Sequence, residues 1–259
     1  DSRFLGFFAG GKLKKIEVSG GPPISLCDAT QALGGTWSQG GVIVFAPTSS
    51  AALQKVSAAG GTPSAATTLG QGEAGHRLPF FLPDGRHFLY RADTGSAAGP
   101  IYVASIDSAE RKMVFNADSS NVLYTQGHLL FLRETTLMAQ PFDPERLELN
   151  GEAFPIAEQI QTQGAPLAGI FSASAGGVLA YQTGIGSAGL QLEWFDRNGK
   201  QAGVLGDPAT YSDLELSPDG KRAAVSIPDQ AGRRDIWIYD VARGLRTRFT
   251  FDPASEFES

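Results

Sequence analysis

Apolar residues along this sequence come in short alternating runs, each closed by a small or polar turn. That is the period-two signature of β-strands, not the 3.6-residue period of helices. In "HRLPFFLPDGRHFLYRA" (His76 to Ala92) a tight turn joins two such runs. Pro83 presets φ, Asp84 can accept backbone N–H groups, and Gly85 supplies the positive φ of a tight hairpin. The device returns in "LELSPDGKRAAVSIPD" as Pro218, Asp219 and Gly220. These six residues are read as turn builders, and neither aspartate as a catalytic carboxylate.

Degenerate copies fill the interval. The position of the turn aspartate falls at Asp1, Gly40, Asp84, Gln126, Ala175 and Asp219, with steps of 39, 44, 42, 49 and 44 residues. Each copy carries a third strand-like run, such as "GPIYVASID" or "RDIWIYDVARG", and a fourth, such as "ERKMVFNA" or "RGLRTRFTFD". Such a period, with four strands per repeat, predicts an all-β fold: a six-bladed β-propeller of four-stranded antiparallel blades, forming one domain over residues 1–259. In "DIWIYDV" the alternation sets Ile236, Ile238 and Val241 opposite Trp237 and Tyr239, as in a strand wedged between two sheets. Trp194 and Trp237, at matching places in their third strands, are expected to pack between blades. The closing "DPASEFES" reads as one more innermost strand, and the first repeat lacks one, so the termini are expected to share a blade and remove an exposed edge. The sequence opens inside a strand and reads as part of a longer chain.

Composition narrows the picture. The 32 Gly and 15 Pro in 259 residues suit a turn-rich all-β protein. A net charge of −6 disfavours nonspecific attachment to nucleic acid or to an anionic membrane. "KLKK" (Lys12 to Lys15) and "RGLRTRF" (Arg243 to Phe249) alternate basic and apolar residues and read as wetted strand faces. Cys27 is the single cysteine, so no intramolecular disulfide can form; this suits the cytosol and a bacterial periplasm equally, and the thiol is read as packed. No apolar run is long enough to span a bilayer, no segment reads as a signal peptide, and no direct membrane insertion is expected.

The two PDG turns, the "GGPP" and "GGTP" links and "RDIWIYDVARG" resemble the TolB-type, WD-like propeller repeat. "GKLKKIEVSGGPPISLCDA", "GHRLPFFLPDGRHFLYRA" and "DIWIYDVARGLRTRFTFDP" are similar to the propeller regions behind bacterial, acidobacterial-type, eukaryotic-like serine/threonine kinases. That resemblance spans nearly the whole chain and implies a periplasmic or extracytoplasmic sensor region. Gly40, Gln126 and Ala175 depart from the PDG consensus, so no role can need that aspartate in every blade. No kinase chemistry lies within the sequence: it has no phosphate-binding glycine loop, no His-Arg-Asp loop and no Asp-Phe-Gly.

Candidate chemistry is sparse. Three histidines (His76, His87, His128) and one cysteine do not suggest a zinc site, and no metal or cofactor is expected. There is no Gly-x-Ser-x-Gly elbow, and "GIGSAG" (Gly184 to Gly189) reads as a loop. Asp143 and Glu145 sit in a turn and read as solvated. Starts of innermost strands should converge at one mouth of the channel, and alignment places Trp37, His76, Arg77, Asn121, Tyr211 and Ser212 there, with Glu256. The expected function is a non-catalytic binding or sensor module, taking a protein, peptide or small-molecule ligand on the loop face and attached to a serine/threonine kinase. The rivals are the gating propeller of a prolyl-oligopeptidase-type serine peptidase and a TolB-like periplasmic scaffold.

Overall fold

The computed structural model describes residues 3–96, 98–117, 121–163, 168–183, 190–195, 200–228, 233–250 and 256–258. Its strands form six four-stranded antiparallel blades in a propeller ring, and the described residues include no helix. Blade 1 contains Phe4–Ala9, Lys12–Glu17 and Ile24–Asp28, and Glu256–Glu258 completes its inner side by pairing antiparallel with Phe4–Ala9. The two ends of the chain thus share a blade, as expected. Blade 2 is Gly35–Trp37, Val42–Phe45, Gln54–Ser57 and Ser64–Ala65, and blade 3 is Gly75–Phe81, His87–Asp93, Gly99–Ser105 and Arg111–Ala117. Blade 4 is Leu123–Thr125, His128–Arg133, Thr136–Asp143 and Phe154–Ala157, with Glu148–Leu149 pairing the end of the third strand. Blade 5 is Phe171–Ala173, Leu179–Gln182, Leu190–Phe195 and Gln201–Ala209. Blade 6 is Ser212–Leu216, Arg222–Pro228, Arg234–Asp240 and Leu245–Arg248. A two-stranded sheet of Thr162–Gln163 and Ala168–Gly169 stands between blades 4 and 5 and was not anticipated. The turn position at Asp1 and the loop 184–189 lie outside the described residues.

The apolar core is divided into six slabs, one at each junction of neighbouring blades. Strand geometry dictates this, because successive side chains leave a strand on opposite faces and both faces of a blade meet a neighbour. Phe7 enters the slab between blades 6 and 1, whereas Phe8 enters the slab between blades 1 and 2. Both are buried, and each contributes about 1.5–3 kcal/mol by leaving water. The same parity corrects one expectation. Ile236 and Ile238 face blade 1, but Val241 packs with Trp237 and Tyr239 against blade 5, since positions 237, 239 and 241 share a face. Trp194 and Trp237 also meet in one slab, from the facing sides of blades 5 and 6, so they do not occupy matching positions.

The PDG turns work through their aspartates. Asp84 accepts the N–H groups of Arg86 and His87 at 2.9 Å, with Gly85 at φ 65°. Asp219 accepts Lys221 N–H at 3.0 Å and the Ser217 hydroxyl at 2.6 Å, with Gly220 at φ 68°. In blades 2 and 5 a serine two residues before that position makes one such bond: Ser38 and Ser174 each accept an N–H, from Val42 and Val178, at 3.1 Å. Their correspondence matches Gly40 with Gly176, one residue beyond the Ala175 expected from sequence.

Hydroxyls also link the blades near the channel. Thr36 Oγ1 accepts the Phe81 N–H at 3.1 Å, and Ser172 Oγ accepts the Leu216 N–H at 3.1 Å.

Candidate functional site

Three innermost strands, those of blades 2, 3 and 6, begin with a shared irregularity. The ladder slips between Arg77 and Phe80 in blade 3 and between Ser212 and Leu214 in blade 6. At the slip, Leu78 has φ 50° and Asp213 has φ 52°, six residues before the turn aspartate in both blades. Gly34, at φ 91°, holds the corresponding place before Gly35–Trp37. A Cβ on Gly34 would lie 2.9 Å from the Leu78 Cα, and Leu78 N–H donates to the Leu33 carbonyl at 2.9 Å. Left-handed backbone costs a bulky residue such as leucine about 1–2 kcal/mol, and a bulge re-aims the side chains beside it.

The described side-chain partners of the six residues aligned to this mouth lie outside the set; His76 and Arg77, like Tyr211 and Ser212, are neighbours in the chain. Arg77 pairs with Asp93 and donates to the Ser49 carbonyl at 3.3 Å, at the strand start. Ser212 bonds Arg234 within blade 6. Asn121 bridges to the two-stranded sheet between blades 4 and 5, donating to the Gly169 carbonyl at 2.9 Å and accepting its N–H at 2.8 Å. Tyr211 is buried, bonding the Asp207 carbonyl and, at 3.1 Å, the Tyr239 hydroxyl; burial and that bond raise its pKa. Trp37 ends its short strand, directly before the turn, and so stands at the opposite end from Arg77 and Ser212. Its ring stacks on Phe4 of blade 1 at 6.2 Å.

His76 is fully buried and anchors a polar chain between blades 2 and 3. Leu53 N–H donates to Thr67 Oγ1 at 2.9 Å, and Thr67 Oγ1 lies 2.7 Å from His76 Nδ1. His76 Nε2 lies 3.0 Å from the Glu73 carboxylate, which also accepts Gly70 N–H and sits 2.8 Å from Arg111. Burial alone would raise the Glu73 carboxyl, but Arg111, His76 and Gly70 outweigh it and bring it down to about 2. Burial lowers the His76 pKa against the pull of Glu73, so the ring is neutral. The Nε2–H then donates to Glu73, and Nδ1 accepts from Thr67. This has the connectivity of a nucleophile, base and carboxylate, but Arg111 neutralises Glu73 and the depressed imidazole is a poor base. The chain is a satisfied structural network.

A second carboxylate lies on the innermost strand of blade 6. Glu215 reaches water yet is surrounded by blades, and its low-polarity setting pushes its pKa up to about 7 against a bond from Ser172. Sequence reading missed Glu73, Arg111 and Glu215. Glu73 precedes His76 by three residues, which is a legible hint, whereas Arg111 lies 38 residues from Glu73 and only blade packing joins them.

No protein-family profile matches the sequence, and no curated protein matches it. Solved structures do. TolB from Acinetobacter baumannii superposes with a TM-score of 0.76 at 17% identity, over 99% of this chain and 66% of that one. A gluconolactonase from Xanthomonas campestris gives 0.66 at 15% identity, over 92% of this chain and 85% of that one. A prolyl endopeptidase studied for inter-domain dynamics gives 0.57 at 13% identity, over 93% of this chain and 39% of that one. The chain thus spans less than two thirds of the TolB structure. The likeness to TolB shows that this chain has a TolB-like six-bladed propeller fold.

Proposed function

We propose that this propeller is a non-catalytic recognition module, binding a protein, peptide or small ligand at the end of the ring where the innermost strands begin. The observation that carries the proposal is the bulge held at Gly34, Leu78 and Asp213, two of them non-glycine residues in left-handed backbone. Strain kept at one repeat position, where three innermost strands begin, fits a binding surface shaped by the loops of a rigid ring. The sequence resemblance to kinase-linked propellers extends the reading to the sensor region of a bacterial serine/threonine kinase on the extracytoplasmic side.

A second reading is a propeller that gates a serine peptidase, supported by the structural likeness to a prolyl endopeptidase. The complete reading frame separates the two: kinase catalytic motifs favour the sensor, and a nucleophile elbow in an α/β-hydrolase segment favours the gate. With a kinase in frame, deleting residues 1–259 from the full protein is expected to change its autophosphorylation rate severalfold. An unchanged rate would refute the sensor role.

A further inference from the structure

We infer that a groove between blades 2 and 3 is a binding site for a small planar carboxylate. It is separate from the strand-start surface and does not depend on the reading above. The groove encloses about 240 Å³, with Ala104, Ala109, Leu69, Thr68, Tyr90 and Arg111 among its lining residues. A cavity of about 150 Å³ suffices for benzene, so one substituted ring fits and a folded peptide does not.

The origin of the space is visible by comparison with blade 6. Asp84 and Asp219 stand 135 residues apart, and the same offset relates Phe88 to Ala223, Ala104 to Tyr239, Tyr102 to Trp237 and Arg111 to Arg246. In blade 6 the second-strand Ala223 faces the third-strand Tyr239; in blade 3 Phe88 faces Ala104. The aromatic ring has moved one strand inward, and the outer position is left to an alanine that lines the groove. Arg111 lies over Tyr102 at 4.3 Å just as Arg246 lies over Trp237 at 5.0 Å. Arg246 also points at the Tyr239 hydroxyl, 3.5 Å away, in the place where Arg111 meets the open groove. In blade 3 the Tyr90 hydroxyl, 3.4 Å from Arg111 Nη1, takes that bond, and the volume that the Tyr239 ring fills in blade 6 is left to the groove, open to a ligand ring beside Arg111.

Charge selects the ligand. Arg111 is the one permanently charged lining residue, and Glu73 lies behind it, nearly without exposure. The groove therefore meets the positive end of that ion pair, which attracts a carboxylate and repels an amine. Leu69 and the alanines give the ring an apolar seat, and Thr68, exposed at the rim, offers a hydroxyl.

The test is a titration of isotope-labelled protein with benzoate, benzyl alcohol and benzylamine, read from backbone amide shifts. Benzoate is expected to give saturable shifts confined to Thr68, Leu69, Gly70 and Arg111, with Kd on the order of 1 mM or tighter. Benzyl alcohol and benzylamine should bind about tenfold more weakly or worse. Ala109→Trp and Leu69→Trp, both at exposed positions, should each block the groove and weaken benzoate about tenfold while the remaining amide spectrum is unchanged. Scattered or non-saturating shifts, equal binding of the neutral or cationic analogue, or retained affinity in a folded blocking variant would overturn the assignment.

Discussion

Blades 3 and 6 share a turn, a bulge and an arginine stacked on an aromatic ring, yet the junctions on their inner sides are filled by different chemistry. His76 and Tyr211 hold the same position, 135 residues apart. The first sits in a chain of threonine, imidazole, carboxylate and guanidinium. The second sits in a pair of tyrosine hydroxyls, 3.1 Å apart. The propeller tolerates either because both leave buried polar atoms bonded, which is the constraint that low polarity imposes. What is held constant is the frame, and what varies is the content of the slabs between blades. A site can therefore arise at one junction without disturbing the others.

The largest effect should come from reversing the aromatic exchange. Phe88 is fully buried, so Phe88→Ala is expected to cost about 3–5 kcal/mol by chemical denaturation. If the two junctions solve one packing problem, adding Ala104→Tyr should recover about half of that loss, because contacting residues are not additive. A double variant no more stable than Phe88→Ala would break the correspondence and remove the stated origin of the groove.

Acidity should separate the blades by sign. His76 is neutral in the fold because its pKa lies below 6.5, so the unfolded chain takes up the proton first. Its contribution is complete above pH 6.5 and is lost as pH falls below that value. Glu215 holds its proton until about pH 7 in the fold but releases it near 4.5 when unfolded. Its contribution is complete below pH 4.5 and is lost as pH rises through 7. The two slopes oppose each other between pH 4.5 and 6.5. His76→Gln should leave a stability that declines with pH across this window, and Glu215→Gln one that rises with it. Denaturant midpoints at half-unit steps read both, and like slopes in the two variants would show that neither group titrates as described. Glu73 acts lower, its contribution being lost as pH falls from 4.5 toward 2.

The frame was legible because it is written in local signals. PDG turns, period-two runs and a near-constant spacing each require only neighbouring residues, and they yield blade number, strand count and shared termini. The site was less legible because its parts are joined by packing. Arg77 and Ser212 do stand at strand starts, but Trp37, placed there by alignment, precedes its turn directly and lies at the other end of a three-residue strand. Val241 was assigned to the wrong face although strict alternation from Trp237 already places it. The Glu73 to Arg111 contact and the Ala104 for Tyr239 exchange needed the three-dimensional correspondence between blades.

The smallest effect concerns what the two blades share. Asp84 accepts two backbone N–H groups in the turn and Asp219 one, and each carries one further partner: His87 Nδ1 at 2.5 Å for Asp84, the Ser217 hydroxyl at 2.6 Å for Asp219. Both carboxylates are solvent-accessible, so the extra partner adds little and the backbone bonds dominate. Asp84→Ala and Asp219→Ala are each expected to cost about 1 kcal/mol, within about 0.5 kcal/mol of each other, by urea denaturation at pH 7. A cost at Asp84 twice that at Asp219 would instead assign stability to the His87 contact, and the difference between the blades would then extend to the turns themselves.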